Sequence, residues 1–223
     1  SRRVVGQYAI AGALIAANWL LYIFAVNAGF IVETSLGYYI TPLVNVLFGV
    51  VFFHERMRPA QWLAIAVATV GVVQLTFAYG APPWIAFGLA ASFGSYGLVK
   101  KRAPLDPIEG LTLETAILAP VAIVYLVMLH RSGEGTFLRI GAASDALLIG
   151  GGLVTTVPLL LFAAAVRTVP LSVIGILQYI GPTLQFLLGV FVYHEPFSRM
   201  QLIGFSIVWA ALAVYAGDGL RAR

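Results

Sequence analysis

Cysteine is missing from the 223 residues, histidine occurs three times, and charged side chains make up only 10% of the chain. Without cysteine there is no disulfide framework, no thiolate metal site and no c-type haem attachment. So few charges exclude an ordinary water-facing surface, because soluble domains carry about a quarter charged residues. The shortage is also uneven: Asp, Glu, Lys and Arg are all absent from 4–32, 34–54, 59–99, 115–130, 146–166, 168–194 and 200–217. A bilayer-crossing helix needs about 20 mainly apolar residues, and several of these stretches reach that length. In hydrocarbon the backbone must satisfy its own polar groups, so spans are helices or closed barrels. Barrel strands alternate polar and apolar over roughly ten residues, whereas LIGGGLVTTVPLLLFAAAV does not. The chain reads as an all-α, polytopic integral membrane protein.

Catalytic signatures are missing too. There is no G-x-S-x-G nucleophile elbow and no phosphate-cradling glycine motif. HExxH fails at both His-Glu pairs, because position 58 is Arg and position 198 is Ser. These absences count against an intramembrane enzyme, and no metal or cofactor is expected. A net charge of +4 raises the question of nucleic acid. The basic residues lie between the apolar stretches, where membrane proteins keep them, so the partners expected are the lipid bilayer and a small-molecule substrate, with no nucleic acid.

What is present is organised as eight apolar segments: 5–26, 33–53, 60–79, 84–99, 112–130, 145–166, 170–193 and 200–217. Asn27-Ala-Gly29, Gly80-Ala-Pro-Pro83 and Arg167-Thr-Val-Pro170 mark turns between them. Pro59 suits a first helical position and Ser198-Arg-Met-Gln201 reads as a capping box. Ten basic residues fall on one side (Arg2, Arg3, Arg56, Arg58, Lys100, Lys101, Arg102, Arg167, Arg221, Arg223) and three on the other (Arg131, Arg139, Arg199). The positive-inside rule puts the first side, with both termini, in the cytoplasm. Lys100-Lys-Arg102 reads most economically as a topology anchor.

HERMRPAQW at 54–62 echoes HEPFSRMQL at 194–202. At the same offset of 140, Gly12, Leu20, Leu21, Ala25 and Val26 match Gly152, Leu160, Leu161, Ala165 and Val166. Tyr39, Ile40 and Pro42 match Tyr179, Ile180 and Pro182, and Leu47, Gly49 and Val50 match Leu187, Gly189 and Val190. A gapless Tyr-Ile-x-Pro, then Gly, then His-Glu marks a duplication. The offset spans five segments, an odd number, so equivalent helices run in opposite directions. Inverted repeats of this kind recur in secondary transporters that alternate access to a central site. The first copy lacks two of the five helices, so the expectation is a ten-span fold seen here as eight spans. Residues 1–80 would be the remainder of the first repeat and 81–223 the second.

The strings NWLLYIFAVNAG, TSLGYYITPLVNVLFGVVFFHER, GLAASFGSYGLVKKR, GLTLET, LVTTVPLLLFAAAVR and LSVIGILQYIGPTLQFLLGVFVYHEP resemble the RarD-type branch of the EamA family, in the drug/metabolite transporter superfamily. The likeness runs over essentially the whole chain. It implies a bacterial inner-membrane protein of two five-helix repeats that exports small amphipathic drugs or metabolites, with phenicols as one substrate type. Amino-acid or metabolite uniport or exchange is the alternative. His54 and His194 depart from the pattern, in which a small residue commonly precedes the repeat glutamate.

Intramembrane polar groups usually face a bundle interior or cavity. Tyr38, Thr41, Asn45 and Gly49 share one helical face; their counterparts are Gln178, Gly181, Gln185 and Gly189. Pro42 and Pro182 follow the second position of each set, and proline removes a helical hydrogen bond. Two readings stand side by side: these faces line a substrate path, or they supply interhelical hydrogen bonds that hold the bundle together. Asn18, Thr155, Thr156 and Tyr96 are further candidates, with Ser92 and Ser95 reading as helix packing. Glu33 and Glu114 are the candidates for a coupling proton. Oligomeric state is left open, with a homodimer compatible.

Overall fold

The computed structural model describes the chain apart from residues 29, 80–82, 192–198 and 222–223. For 31–33, 78–79, 185–186, 188–190, 201 and 219–221 it describes the backbone only. The described residues form helices and no strand: α1 Arg2–Asn27, α2 Ile31–Phe53, α3 Pro59–Tyr79, α4 Trp84–Lys101, α5 Pro107–Ser132, α6 Ala142–Thr168, α7 Leu171–Leu177, α8 Ile180–Phe191 and α9 Arg199–Arg221. Among them five, α1, α2, α3, α5 and α6, are long and apolar enough to cross a membrane. The helix α4 is shorter, 18 residues rich in Gly and Ser and closed by Lys100 and Lys101.

Seven of the apolar segments correspond to one helix each. The eighth, 170–193, is divided. Helix α7 ends at Leu177 and α8 begins at Ile180, so Gln178 and Tyr179 lie in a break. The cause is local. Pro182 has no N–H for the carbonyl four residues back, which is that of Gln178, and its ring crowds the same carbonyl. The Gln178 carbonyl instead accepts from the Gly181 N–H at 3.2 Å, a tighter three-residue closure. The equivalent proline in α2 has a different outcome: the helix runs through Pro42 unbroken. Here the preceding turn is tied in two ways, by the Thr41 hydroxyl donating to Gly37 O (2.8 Å) and by the Tyr179 hydroxyl donating to Tyr39 O (3.1 Å).

Packing divides the chain into two compact units, and the division passes within α1 and within α4. One unit comprises Ser1–Leu14 and Val99–Thr168; the other comprises Ile15–Leu98 and Val169–Arg223. In the second unit α3 lies along α9, and α2 lies along α7. Small residues bring these pairs close, as expected where lipid is as apolar as the side chains. A Cβ on Gly71 would sit 3.1 Å from Ile207 Cγ2, and one on Gly175 only 2.6 Å from Pro42 O. Around these contacts Tyr39, Val46, Val72, Ile176, Tyr179, Phe205 and Val208 form one buried cluster. Within the first unit, α5 and α6 bury little. Leu147, Leu153, Val154, Val121 and Ile123 are exposed, an apolar coat suited to lipid contact.

Candidate functional site

The α2–α7 seam brings together two of the polar residues singled out from the sequence, Asn45 and Gln178. Asn45 is fully buried, and its Nδ2 donates to Gln178 Oε1 at 2.5 Å. Two amides, one on α2 and one just after α7, therefore meet. Asn45 Oδ1 has no hydrogen-bond partner among the described residues. An unmatched buried amide oxygen is costly to the folded protein. Gln178 stands between α7 and α8, its N–H still donating to Ile174 O at 3.0 Å.

Other candidates fall elsewhere. Tyr38 is 44% exposed and sits edge-on to the Tyr22 ring, 6.2 Å between centroids. Asn18 donates to Leu89 O (3.0 Å) and Ser92 Oγ (2.9 Å), joining α1 to α4. Those bonds match the interhelical reading of such residues. Tyr96 is fully buried beside Phe93. Thr155 and Thr156 turn their hydroxyls back onto Gly151 and Gly152 carbonyls of their own helix. The side chains of Gln185 and Glu33 lie outside the described residues.

Glu114 is 1% exposed and ion-paired: Lys100 Nζ donates to its Oε1 at 2.7 Å, while the same ammonium lies 5.2 Å from the centre of the Tyr8 ring. Lys100 is itself 3% exposed, so the first residue of the Lys100-Lys-Arg102 run is not a solvated surface anchor. It is a buried counter-ion, and Gly110 leaves the room, since a Cβ there would come 2.7 Å from Tyr8 Cε1 and 3.1 Å from Lys100 Nζ. Around this pair the Tyr8 hydroxyl donates to Leu105 O at 3.3 Å and accepts from Leu105 N–H at 3.0 Å. Arg167 reaches Leu105 O at 2.9 Å and Asp106 at 3.0 Å. Sequence reasoning missed the pairing, although a single Glu early in a charge-free segment 14 residues after a lysine was a usable hint.

Glu55 was also missed, because the His-Glu pair reads as a segment boundary. His54 adopts the left-handed conformation (φ 54°, ψ 34°) and ends α2. The turn carries the Glu55 carboxylate across to the start of α7, where Oε1 accepts from Leu171 N–H at 2.7 Å and Oε2 from Ser172 N–H at 2.9 Å. Gly49 provides the passage: a Cβ there would lie 2.5 Å from Glu55 Oε2. The signal available in sequence was the recurrence of Gly-x5-Glu at 49–55 and 189–195.

Comparison with known proteins gives a consistent picture. Residues 82–217 match the model of the EamA-like transporter family. The chain is 45% identical over 219 residues to "Protein RarD" of Streptomyces exfoliatus, covering 98% of this chain and 70% of that one. It is 47% identical over 209 residues to "Uncharacterized transporter YojE" of Bacillus subtilis (strain 168), with 92% and 68% covered. To "Protein RarD" of Escherichia coli (strain K12) it is 44% identical over 212 residues, with 95% and 72% covered. A solved chain titled "Crystal structure of protein" superposes with a TM-score of 0.60 at 21% identity, covering 95% of this chain and 85% of its own; that likeness shows the fold alone.

Proposed function

The chain belongs to the EamA-like transporter family, in its RarD-type branch, and on that premise we propose that this multi-pass membrane transporter moves small amphipathic drugs or metabolites outward by alternating access. In this reading 1–80 and 81–223 derive from inverted repeats, and the substrate path runs along the facing helices α2 and α7–α8. The observation that carries it is the buried amide pair Asn45–Gln178 beside a proline break, with Asn45 Oδ1 unmatched. Amides that both donate and accept suit neutral or zwitterionic ligands, and the neighbouring Tyr39 and Tyr179 rings suit an aromatic or apolar body. Phenicol-type antibiotics are one such class; aromatic metabolites and amino acids are others.

Uniport or exchange is favoured over proton coupling through Glu114 by one observation. Its carboxylate is held by Lys100 in a buried pair, and protonating it there would leave the ammonium without its counter-charge, which is costly at low dielectric.

The test is a melting-shift panel on the purified protein in detergent, covering phenicols, nucleosides, aromatic metabolites and amino acids, repeated with Asn45→Leu/Gln178→Leu. A saturable shift in the parent that vanishes in the double variant is expected. A shift that persists in the variant would remove these amides from the substrate path.

A further inference from the structure

The link between Glu55 and residues 171–172 joins positions 116 apart, yet it is more specific than a helix cap needs to be. Capping satisfies orphan N–H groups with any nearby acceptor. Here each carboxylate oxygen takes one N–H, Leu171 at 2.7 Å and Ser172 at 2.9 Å. Both donors belong to buried residues, Leu171 0% and Ser172 4% exposed. A second feature, on the other helix, is shaped to the same contact. A Cβ on Gly49 would fall 2.5 Å from Glu55 Oε2 and 2.9 Å from Ser172 N, so a side chain at 49 would wedge the carboxylate off its donors. A third feature is the backbone of the turn: His54 and Glu55 N–H groups both reach Gly49 O, which fixes the Glu55 side chain over that glycine.

We propose that Glu55 is a positioning residue: it latches the start of α7 to the end of α2, holds Asn45 opposite Gln178 along the seam, and lets the two helices part when it releases. The consequence for transport rests on the alternating-access reading above; the latch itself does not. The seam's other ties among the described residues include the backbone-close contact at Gly175 and the neutral hydrogen bonds Asn45–Gln178 and Tyr179–Tyr39 O. A carboxylate accepting two N–H bonds is the stronger, charge-assisted tie. Glu55 is also half-buried rather than sealed in, so water can replace the protein donors when it lets go. A latch needs both properties.

The absence of cysteine makes the test clean. Val46→Cys places a thiol on the seam at a residue 3% exposed, whose Cγ2 would be 3.1 Å from a Cβ on Gly175. Ala163→Cys places a control thiol on α6, outside the buried cluster that holds Val46, at 1% exposed. Maleimide labelling of each, in the full chain in detergent, is measured with Glu55 intact, with Glu55→Gln and with Gly49→Ala. Glutamine turns an NH2 toward one N–H donor, and the alanine methyl wedges the same contact while improving the helix propensity of α2. The Val46→Cys thiol is expected to label about tenfold faster or more in both backgrounds, the change that roughly 1.4 kcal/mol of lost latch stability produces, with Ala163→Cys unmoved. Equal rates with and without the latch substitutions would overturn the proposal. Acceleration of both thiols together would overturn it as well, reducing Glu55 to general stability. If Glu55→Gln does not yield folded protein, Gly49→Ala decides alone by the same criteria. No ligand enters this experiment, so the latch can fail while the substrate path stands, and the reverse.

Discussion

The two compact units each bury a polar pair, and the pairs are built from different chemistry. In the unit containing α5 and α6 the pair is Lys100–Glu114, two full charges with side chains 3% and 2% exposed. In the unit containing α2 and α7 it is Asn45–Gln178, two neutral amides at a helix break. Charges taken out of water are held only as long as both partners stay, because removing one strands the other at low dielectric. Neutral amides in a membrane are worth far less, averaging about 0.6 kcal/mol per contact. A protein that must keep one region fixed and let another exchange partners would distribute its pairs this way. On the transport reading proposed above, the ion pair is scaffold and the amide pair is where a ligand competes.

The largest expected effect breaks that contrast directly. Lys100→Met or Glu114→Gln alone is expected to cost about 3–5 kcal/mol, seen as a collapse of the detergent melting temperature or loss of monodisperse protein. Joining Lys100→Met with Glu114→Leu is expected to recover most of the loss, since hydrophobic replacement of a whole buried pair is often neutral. If each single change were as mild as an amide substitution, the scaffold reading of this pair would be wrong.

Most of the helical layout was legible in the sequence because charge-free length and turn residues decide it locally. That Asn45 and Gln178 lie on polar helical faces was legible as well; that the two amides meet was not. What could not be read is informative. The same Tyr-Ile-x-Pro string is continuous at Pro42 and broken at Pro182: in α2 Thr41 back-bonds to Gly37 and the Tyr179 hydroxyl ties Tyr39 O from another helix, whereas position 181 is glycine and has no such hydroxyl. Lys100 was hidden by its neighbours, since a Lys-Lys-Arg run at a segment end looks like loop charge. Glu55 was hidden because its partners are backbone N–H groups 116 and 117 residues away, and backbone donors carry no residue signature.

An intermediate effect sharpens the contrast from the helix side. Pro182→Ala restores an N–H that the Gln178 carbonyl can accept, worth about 1 kcal/mol as a backbone hydrogen bond. Hydrogen exchange at Tyr179–Gly181 is expected to slow severalfold as α7 and α8 join. The joined helix should also draw Gln178 away from Asn45 and weaken any ligand shift seen in the parent. Unchanged exchange at these amides would mean that the break is held by the packing of Tyr179 against Tyr39 and not by the proline.

The smallest expected effect on stability is at the amide pair itself. Asn45→Leu removes one hydrogen bond, and measured interhelical bonds of this kind reach at most about 1.7 kcal/mol. It also removes Asn45 Oδ1, which has no partner among the described residues and is a cost to the folded protein. The two terms oppose each other, so the melting temperature of the ligand-free protein is expected to move little in either direction. The ligand-induced shift is expected to disappear, because the acceptor that a ligand N–H or O–H would meet is gone. Melting curves with and without ligand separate the terms in one experiment. A large loss of stability with the ligand shift intact would make Asn45 bundle glue, and the two units would then differ only in the strength of their polar ties.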